Sequence, residues 1–502
     1  MENKFMSGLK TATNFTYTEN GALTHKTTES DLLDLFAMGA AYRTRSNEDV
    51  IVLFKNAFVE NPTYALKCLF YLRDIRGGQG ERRFFRVAMK WLAAYNTDAA
   101  LRNLKHIPEF GRWDDLFVFL GTPIENEALN FIKHQLALDV QCKTPSLLAK
   151  WMPSENTSSA KTRQTASAVR KYLGMTSKEY RKVLSALRKR INVLERLMSE
   201  GRWDEIEFDK IPSKAGLKYK NAFARHDIER MKSEKAVQSY ADFAKDETKT
   251  VNAKALYPYE VVDKGYKAAR KRMDDTDRLM VNKYWDNLAD YFAGKTFNGL
   301  AVVDTSASMT WSGGAAAPIN VAISLGMYCA EKAKGPFAGH YVSFSSSPRL
   351  VRVEGVDFCD KVRRIQDTNL CQNTNIEATF DMLLNTAISN NCSQEDLPEN
   401  IIVISDMEFD VGTGYYGRST RNTKTLMEGI REKWARAGYR MPHLIYWNVE
   451  ARQNNIPEDI GCGLVSYVSG MSPSIFETIL SGKTGYDMMM EKLNSARYEV
   501  IQ

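Results

Sequence analysis

Residues 300–309 read LAVVDTSASM, an apolar run that passes directly into Asp304, Ser306 and Ser308 at two-residue spacing. A continuous apolar run that stops at alternating carboxylate and hydroxyl groups predicts a buried parallel strand opening into a polar loop. In an open α/β sheet, ligands sit beyond the carboxyl ends of the strands, so this loop is where a site is expected. Alternate residues of a still-extended segment point the same way. Asp304, Ser306 and Ser308 can then converge on one hard cation, offering the oxygen donors that magnesium prefers.

Working outward toward the C-terminus, strand-like runs alternate with helical patterns. A helix is predicted over about 317–333, a strand over 340–344, a helix over 376–389 and the strand IIVIS over 401–405. A helix over 423–437 and a strand over 443–447 follow. This alternation predicts a doubly wound, mostly parallel sheet. Asp406 closes the strand at 401–405 as Asp304 closes the strand at 300–303, and Thr374 stands in the NTN loop (373–375) before the helix at 376. Asp304, Ser306, Ser308, Thr374 and Asp406 therefore make a five-residue oxygen cage for Mg2+, or another divalent cation such as Mn2+. The loop 407–421, with Tyr415, Tyr416 and Arg418, is expected beside it.

Toward the N-terminus the texture is helical. Apolar positions recur at three- and four-residue steps from Asp31 to about Phe292, with short polar breaks. Successive helices of this kind predict a stacked array, although the sequence carries no clean repeat. The expected organisation is an N-terminal arm or loose lead-in (1–28), an α-helical repeat region (29–296) and an α/β domain (297–502).

Charge separates the two halves. Residues 1–300 hold 50 Lys and Arg against 38 Asp and Glu; residues 301–502 hold 18 against 23. The basic half is the candidate for a polyanionic partner. Within it, residues 161–190 place Lys161, Arg163, Arg170, Lys171, Lys178, Arg181, Lys182, Arg188, Lys189 and Arg190 against one acid, Glu179, with Tyr172 and Tyr180 interleaved. Such a segment repels itself unless an anion neutralises it; phosphate contacts and base stacking are the nucleic-acid reading, a solvated face the plain one. The basic character continues more weakly at Lys267, Arg270, Lys271 and Arg272. A second basic stretch, YLRDIRGGQGERRFF (71–85), brackets three glycines with Arg76, Arg82 and Arg83. It reads either as an anion-binding loop at a helix start or as a turn whose arginines pair with Asp74 and Glu81.

Composition bounds the class. With 44% hydrophobic and 26% charged residues among 502, the chain is of ordinary globular type. Seven scattered cysteines without a CxxC pair fit a reducing compartment, and no apolar run of about 18 residues is present, so a cytoplasmic protein with no membrane partner is expected. The absence of GxSxG, HExxH and GxxxxGK[ST] patterns, and six dispersed histidines, predict a binding protein rather than an enzyme.

DTSASM, the NTN loop and VISDMEF resemble the metal-ion-dependent adhesion site of von Willebrand factor A domains, in the family's own order. The resemblance implies magnesium coordination by the serines and threonine, aspartates acting directly or through water, and an acidic group of a partner completing the shell. DIRGGQGERRFF, GRWDDL, LLAKWMPS, YRKVLSALRKRINVLE and NAKALYPYEVV resemble a family that joins a helical-repeat region to such an A domain. That architecture is similar to the Ro autoantigen, whose HEAT-like TROVE ring is closed by an A domain. Ro-like proteins bind small structured RNAs on a basic outer surface and single-stranded 3′ ends through the ring. The resemblance implies RNA as partner; a Mg-dependent adaptor capturing a protein carboxylate is the alternative.

Overall fold

The computed structural model describes residues 13–236, 238–270, 275–310, 314–344, 347–368, 374–411, 425–458, 465–483 and 485–502. By proximity the chain divides into two compact units, one of residues 1–68 and 253–495, the other of 69–252 and 496–502. Residues 13–28, expected as a loose lead-in, carry a hairpin instead. Strand β1 (Phe15–Tyr17) pairs antiparallel with β2 (Leu23–His25), and the pair is anchored by Thr24 Oγ1 donating to the Ile456 carbonyl at 2.8 Å. Helices α1 (Asp31–Met38) and α2 (Asn47–Glu60) follow, each started by a serine whose hydroxyl accepts a first-turn N–H. The division between units falls inside α3 (Pro62–Arg73).

The second unit is helical. Its elements include α4 (Arg82–Tyr95), α5 (Glu125–Gln141), α6 (Ala160–Tyr172) and α7 (Ser177–Arg190). Helix α7 begins with a reciprocal cap between Thr176 and Glu179 and ends on three cations, Arg188, Lys189 and Arg190, which suit the negative end of its dipole. Deep in the unit, Arg73 and Asp115, both almost fully buried, pair at 2.7 Å. The last seven residues close back on this unit: Arg497 and Tyr498 hold Asp74, and the Gln502 N–H donates to Asn103 Oδ1 at 3.0 Å.

The first unit is built on a six-stranded sheet of order β5-β4-β3-β6-β7-β8. The strands are β3 (Gly299–Asp304), β4 (His340–Phe344), β5 (Arg349–Arg352), β6 (Asn400–Ser405), β7 (His443–Asn448) and β8 (Val465–Ser469). All neighbours are parallel except β5, which runs antiparallel along β4. Every residue of β3 and of β7 is buried, as expected of strands covered on both faces. Helix α8 (Pro258–Arg270) and α9 (Asp275–Asp286) precede the sheet; α10 (Pro318–Lys332), α11 (Phe358–Thr368), α12 (Ile376–Ser389), α13 (Leu426–Arg436) and α14 (Gly485–Leu493) connect and cover it. Helix α10 approaches β3 so closely that a Cβ on Gly326 would stand 2.5 Å from Val303 Cγ2, which is why a glycine sits there.

The first strand, β3, lies centrally, and the chain winds from it to β4 on one side and later to β6 on the other. The carboxyl ends of β3 and β6 thus flank the point where the winding direction reverses, where a crevice opens in sheets of this order.

Candidate metal centre at the switch point

The register of the sheet sets Val303 beside Ile404, so Asp304 emerges next to Ser405 and one residue short of Asp406. Ser405 Oγ donates to Asp304 Oδ2 at 2.5 Å, and the Ser306 N–H donates to Asp304 Oδ1 at 2.9 Å. The Ser306 and Ser308 hydroxyls are 2.9 Å apart, and Ser308 acts to lower the Asp406 carboxyl. Three of the five predicted cage residues, Asp304, Ser306 and Ser308, are therefore joined by direct hydrogen bonds, and the fourth, Asp406, follows Ser405, which bonds Asp304. The fifth, Thr374, stands at the same edge: its carbonyl accepts from the Asp410 N–H at 3.0 Å, while Asn375 caps α12 by accepting from the Ala378 N–H at 2.9 Å. Asp304, Ser306, Thr374 and Asp406 are almost wholly buried, Ser308 half so.

The electrostatics of this pocket are unfavourable to bare carboxylates. Burial, reinforced by the charge of Asp406, raises the Asp304 carboxyl; burial also raises Asp406, although Arg452 opposes it. Glu408, two residues on, is pushed up to about 7 by burial, and its Oε1 is buried without a hydrogen-bond partner. The guanidinium in contact is Arg452, whose Nη2 lies 2.9 Å from Asp406 Oδ2 and 3.0 Å from Glu19 Oε2. One guanidinium is set against four acids, Asp304, Asp406, Glu408 and Glu19. Either the buried acids take up protons or a cation joins them.

Two carboxylates and three hydroxyls form a hard, oxygen-only donor set, so these residues fit a magnesium-type ion. Among the described residues there is no cluster of three or more His, Cys, Asp or Glu side chains fit for a metal. Sequence reasoning missed Ser405, Glu408, Arg452, Glu19 and Asn20. Glu408 was signalled by its place two residues after Asp406, and Arg452 by following the apolar strand β7; the hairpin residues carried no signal. Of the loop 407–421, Tyr415, Tyr416 and Arg418 lie outside the described residues, as does Asn373.

The basic candidates sort into two groups. Arg163 donates to the carbonyls of Thr157 and Ser158 at 2.6 and 2.8 Å, and Arg170 to Glu155 at 2.8 Å and the Met175 carbonyl at 2.8 Å. Arg188 reaches the carbonyls of Ala149 and Met152, and Arg190 those of Asp139 and Val140. These four arginines stitch their own unit together. Lys161, Lys171, Lys178, Arg181, Lys182 and Lys189 are exposed, and among the described residues none of them pairs with a carboxylate. Lys178, Arg181, Lys182 and Lys189 share one face of α7, opposite its buried Tyr180, Leu184 and Leu187.

The interleaved tyrosines both hydrogen-bond within their own unit. Tyr180 is buried with its hydroxyl on the Pro153 carbonyl at 2.8 Å, and the Tyr172 hydroxyl donates to the Asn126 carbonyl at 3.1 Å. In the glycine stretch, Glu81 caps α4 by accepting from the Arg83 and Phe84 N–H groups, so a carboxylate of the chain itself fills the anion position. Arg76 faces Glu109 at 3.5 Å, Arg82 is exposed and Arg83 half-buried. Of the weaker basic positions, Lys271 and Arg272 lie outside the described residues.

Fold and site define a chain that joins a helical region to a doubly wound α/β domain with an oxygen-lined switch point. It belongs to the family described as a domain of unknown function, DUF2828, whose model matches residues 18–150 and 137–295. A second model, described as domain of unknown function DUF7788, matches residues 298–500 and so takes in the whole sheet. The chain is also similar to the uncharacterized protein L728 of Acanthamoeba polyphaga mimivirus, at 30% identity over 519 residues, covering 95% of this chain and 86% of that protein. Neither model carries a Ro or von Willebrand A description. No described helix is long and apolar enough to cross a membrane.

Proposed function

We propose that this protein is an RNA-binding scaffold of Ro-like build. In this reading the helical region is a TROVE- or HEAT-like repeat that binds small structured or single-stranded RNA. The α/β domain is a von Willebrand A-type domain that holds Mg2+ on Asp304, Ser306, Ser308, Thr374 and Asp406. The observation that carries the RNA reading is the face of α7: Lys178, Arg181, Lys182 and Lys189 stand together in solvent with no carboxylate against them among the described residues. A bound magnesium would supply an electrophile for an external carboxylate or phosphate oxygen, while the chain's own hydroxyls keep its charge incompletely neutralised. We place the protein in the cytoplasm; Cys68, Cys142, Cys329 and Cys392 are free thiols, in keeping with a reducing compartment.

A filter-binding salt titration with single-stranded and hairpin RNA tests this reading. Substituting Lys178, Arg181, Lys182 and Lys189 by Gln removes up to four phosphate contacts. On single-stranded RNA each contact contributes about 0.7 to the slope of log affinity against log salt, so the slope falls by about 2.8. Binding no tighter than that of a neutral control protein overturns it. The alternative, a Mg-dependent adaptor that captures a partner's Asp or Glu, is favoured by the hydroxyl-rich cage. It predicts chelator-sensitive protein binding with RNA affinity untouched.

A further inference from the structure

The switch-point cage lies beneath a segment from the far N-terminus of the same unit. The turn of the β1–β2 hairpin, Thr18 to Gly21, runs across the loop that follows β6. Thr18 Oγ1 donates to the Phe409 carbonyl at 2.7 Å, and the Glu19 N–H to Glu408 Oε2 at 2.7 Å. Asn20 Nδ2 donates to the Glu408 carbonyl at 2.6 Å and also stands 3.5 Å from Thr374 Oγ1, a cage hydroxyl. Gly21 bridges to Asp410 in antiparallel fashion, with a φ of +88° that favours glycine. The Glu19 carboxylate shares Arg452 with Asp406, at 3.0 and 2.9 Å respectively.

We infer that the Thr18–Gly21 turn is an intrachain cover on the metal cage, latched by Glu19 on Arg452, which must lift before an external anion reaches the site. The inference rests on the cage reading given above, and three features carry it. The cover touches a cage hydroxyl (Thr374), the residue after next from a cage carboxylate (Glu408) and the guanidinium paired with that carboxylate. Its side chains meet the loop chiefly through hydrogen bonds and one ion pair, contacts that an aqueous ligand can exchange for its own. The latch is an acid held by a cation, so an incoming carboxylate or phosphate competes for Arg452 on equal chemical terms. The end of the hairpin is fixed elsewhere: the His25 N–H donates to the Ile456 carbonyl at 3.0 Å, and the His25 carbonyl accepts from the Ile456 N–H at 3.0 Å. The turn can therefore lift while β2 stays docked.

The test compares the full-length protein with its Glu19→Ala and Asn20→Ala variants. Hydrogen exchange is followed at the amides of residues 18–22 and 405–410, and Mn2+ association by stopped-flow fluorescence. Losing a partly exposed ion pair, with its share of the turn's ordering, is expected to speed exchange at these amides about tenfold and to raise the Mn2+ association rate by a similar factor. Amides of the helical unit should not change. Unchanged exchange at 405–410 in both variants overturns the cover, whether or not Mn2+ binds. Faster exchange in protein that binds no Mn2+ upholds the cover and refutes the metal reading instead. Mn2+ association at the wild-type rate in variants whose exchange is faster shows that the turn does not gate the cage, which overturns the cover and leaves the metal reading standing.

Discussion

Replacing Asp304 by Asn separates what the cage costs the fold from what a cation returns. In chelator, burial and the neighbouring charge of Asp406 hold the Asp304 carboxyl above its usual range, so its negative charge is a burden on the native state. The substituted amide keeps an oxygen to accept the Ser306 N–H, and the variant is expected to melt no lower than wild type. With magnesium the order reverses. At a free concentration about 100-fold above the dissociation constant, a ligand confined to the native state adds about 2.7 kcal/mol. The unit that carries the sheet has about 310 residues. At roughly 2.1 cal/mol/K per residue its unfolding entropy is about 0.65 kcal/mol/K, so the gain appears as about 4 °C in its melting temperature. Differential scanning calorimetry in EDTA and in magnesium reads both numbers. Wild type should shift by about 4 °C and Asp304→Asn by less than about 1 °C. No shift in wild type, or an equal shift in the variant, refutes the reasoning.

Other expectations test parts of the fold. Burial pulls His443 down to about 4 from 6.5, where it sits neutral between Asn400 Oδ1 at 3.1 Å and Ser466 Oγ at 2.9 Å. The folded value is the lower one, so its contribution is complete above pH 6.5 and lost as pH falls from there through 4. About 3 kcal/mol disappears over that window, and His443→Gln should flatten the acid limb of a thermal-stability profile. Arg73→Met leaves Asp115 buried with Arg86 Nε at 2.6 Å as its remaining side-chain cation and should cost about 3–5 kcal/mol in a denaturant titration. Glu81→Ala removes the cap of α4 and should cost about 1 kcal/mol by the same measurement.

The central strands were legible because burial on both faces erases alternation. GLAVVD, NIIVIS and HLIYWN read as strands with ends within a residue or two of those observed. Strand β5, RLVR, is a largely exposed antiparallel edge with no apolar run, and nothing local distinguished it from a loop. Strand β8, VSYVS, is wholly buried although its serines suggest a half-solvated face. Ser466 is satisfied by His443 and the Gly485 N–H, and Ser469 by the Phe36 carbonyl and the Ala40 N–H. The cage aspartates could be read because each ends its own strand. Glu19, Asn20 and Arg452 could not, since their meaning lies in partners some 350 to 430 residues away. For the same reason the N-terminal stretch reads as a lead-in: Thr18 and Thr24 are polar in sequence and buried only by carbonyls supplied from Phe409 and Ile456.

The basic segment teaches the complementary point, that a charge count is not a count of available charges. Ten cations in residues 161–190 imply a salt slope of about 7 if each meets a phosphate of single-stranded RNA. Arg163, Arg170, Arg188 and Arg190 turn their guanidinium groups onto carbonyls and Glu155 within their own unit. Their planar five-donor heads suit them to that work, whereas the point charge of a lysine stays solvated. Six cations remain, five of them lysines, and the slope this surface can supply drops to about 4. A slope near 7 that survives substitution of those six by Gln would mean that RNA binds elsewhere on the chain. A slope near 4 that collapses with them would mean that the division of labour between arginine and lysine sets the nucleic-acid face.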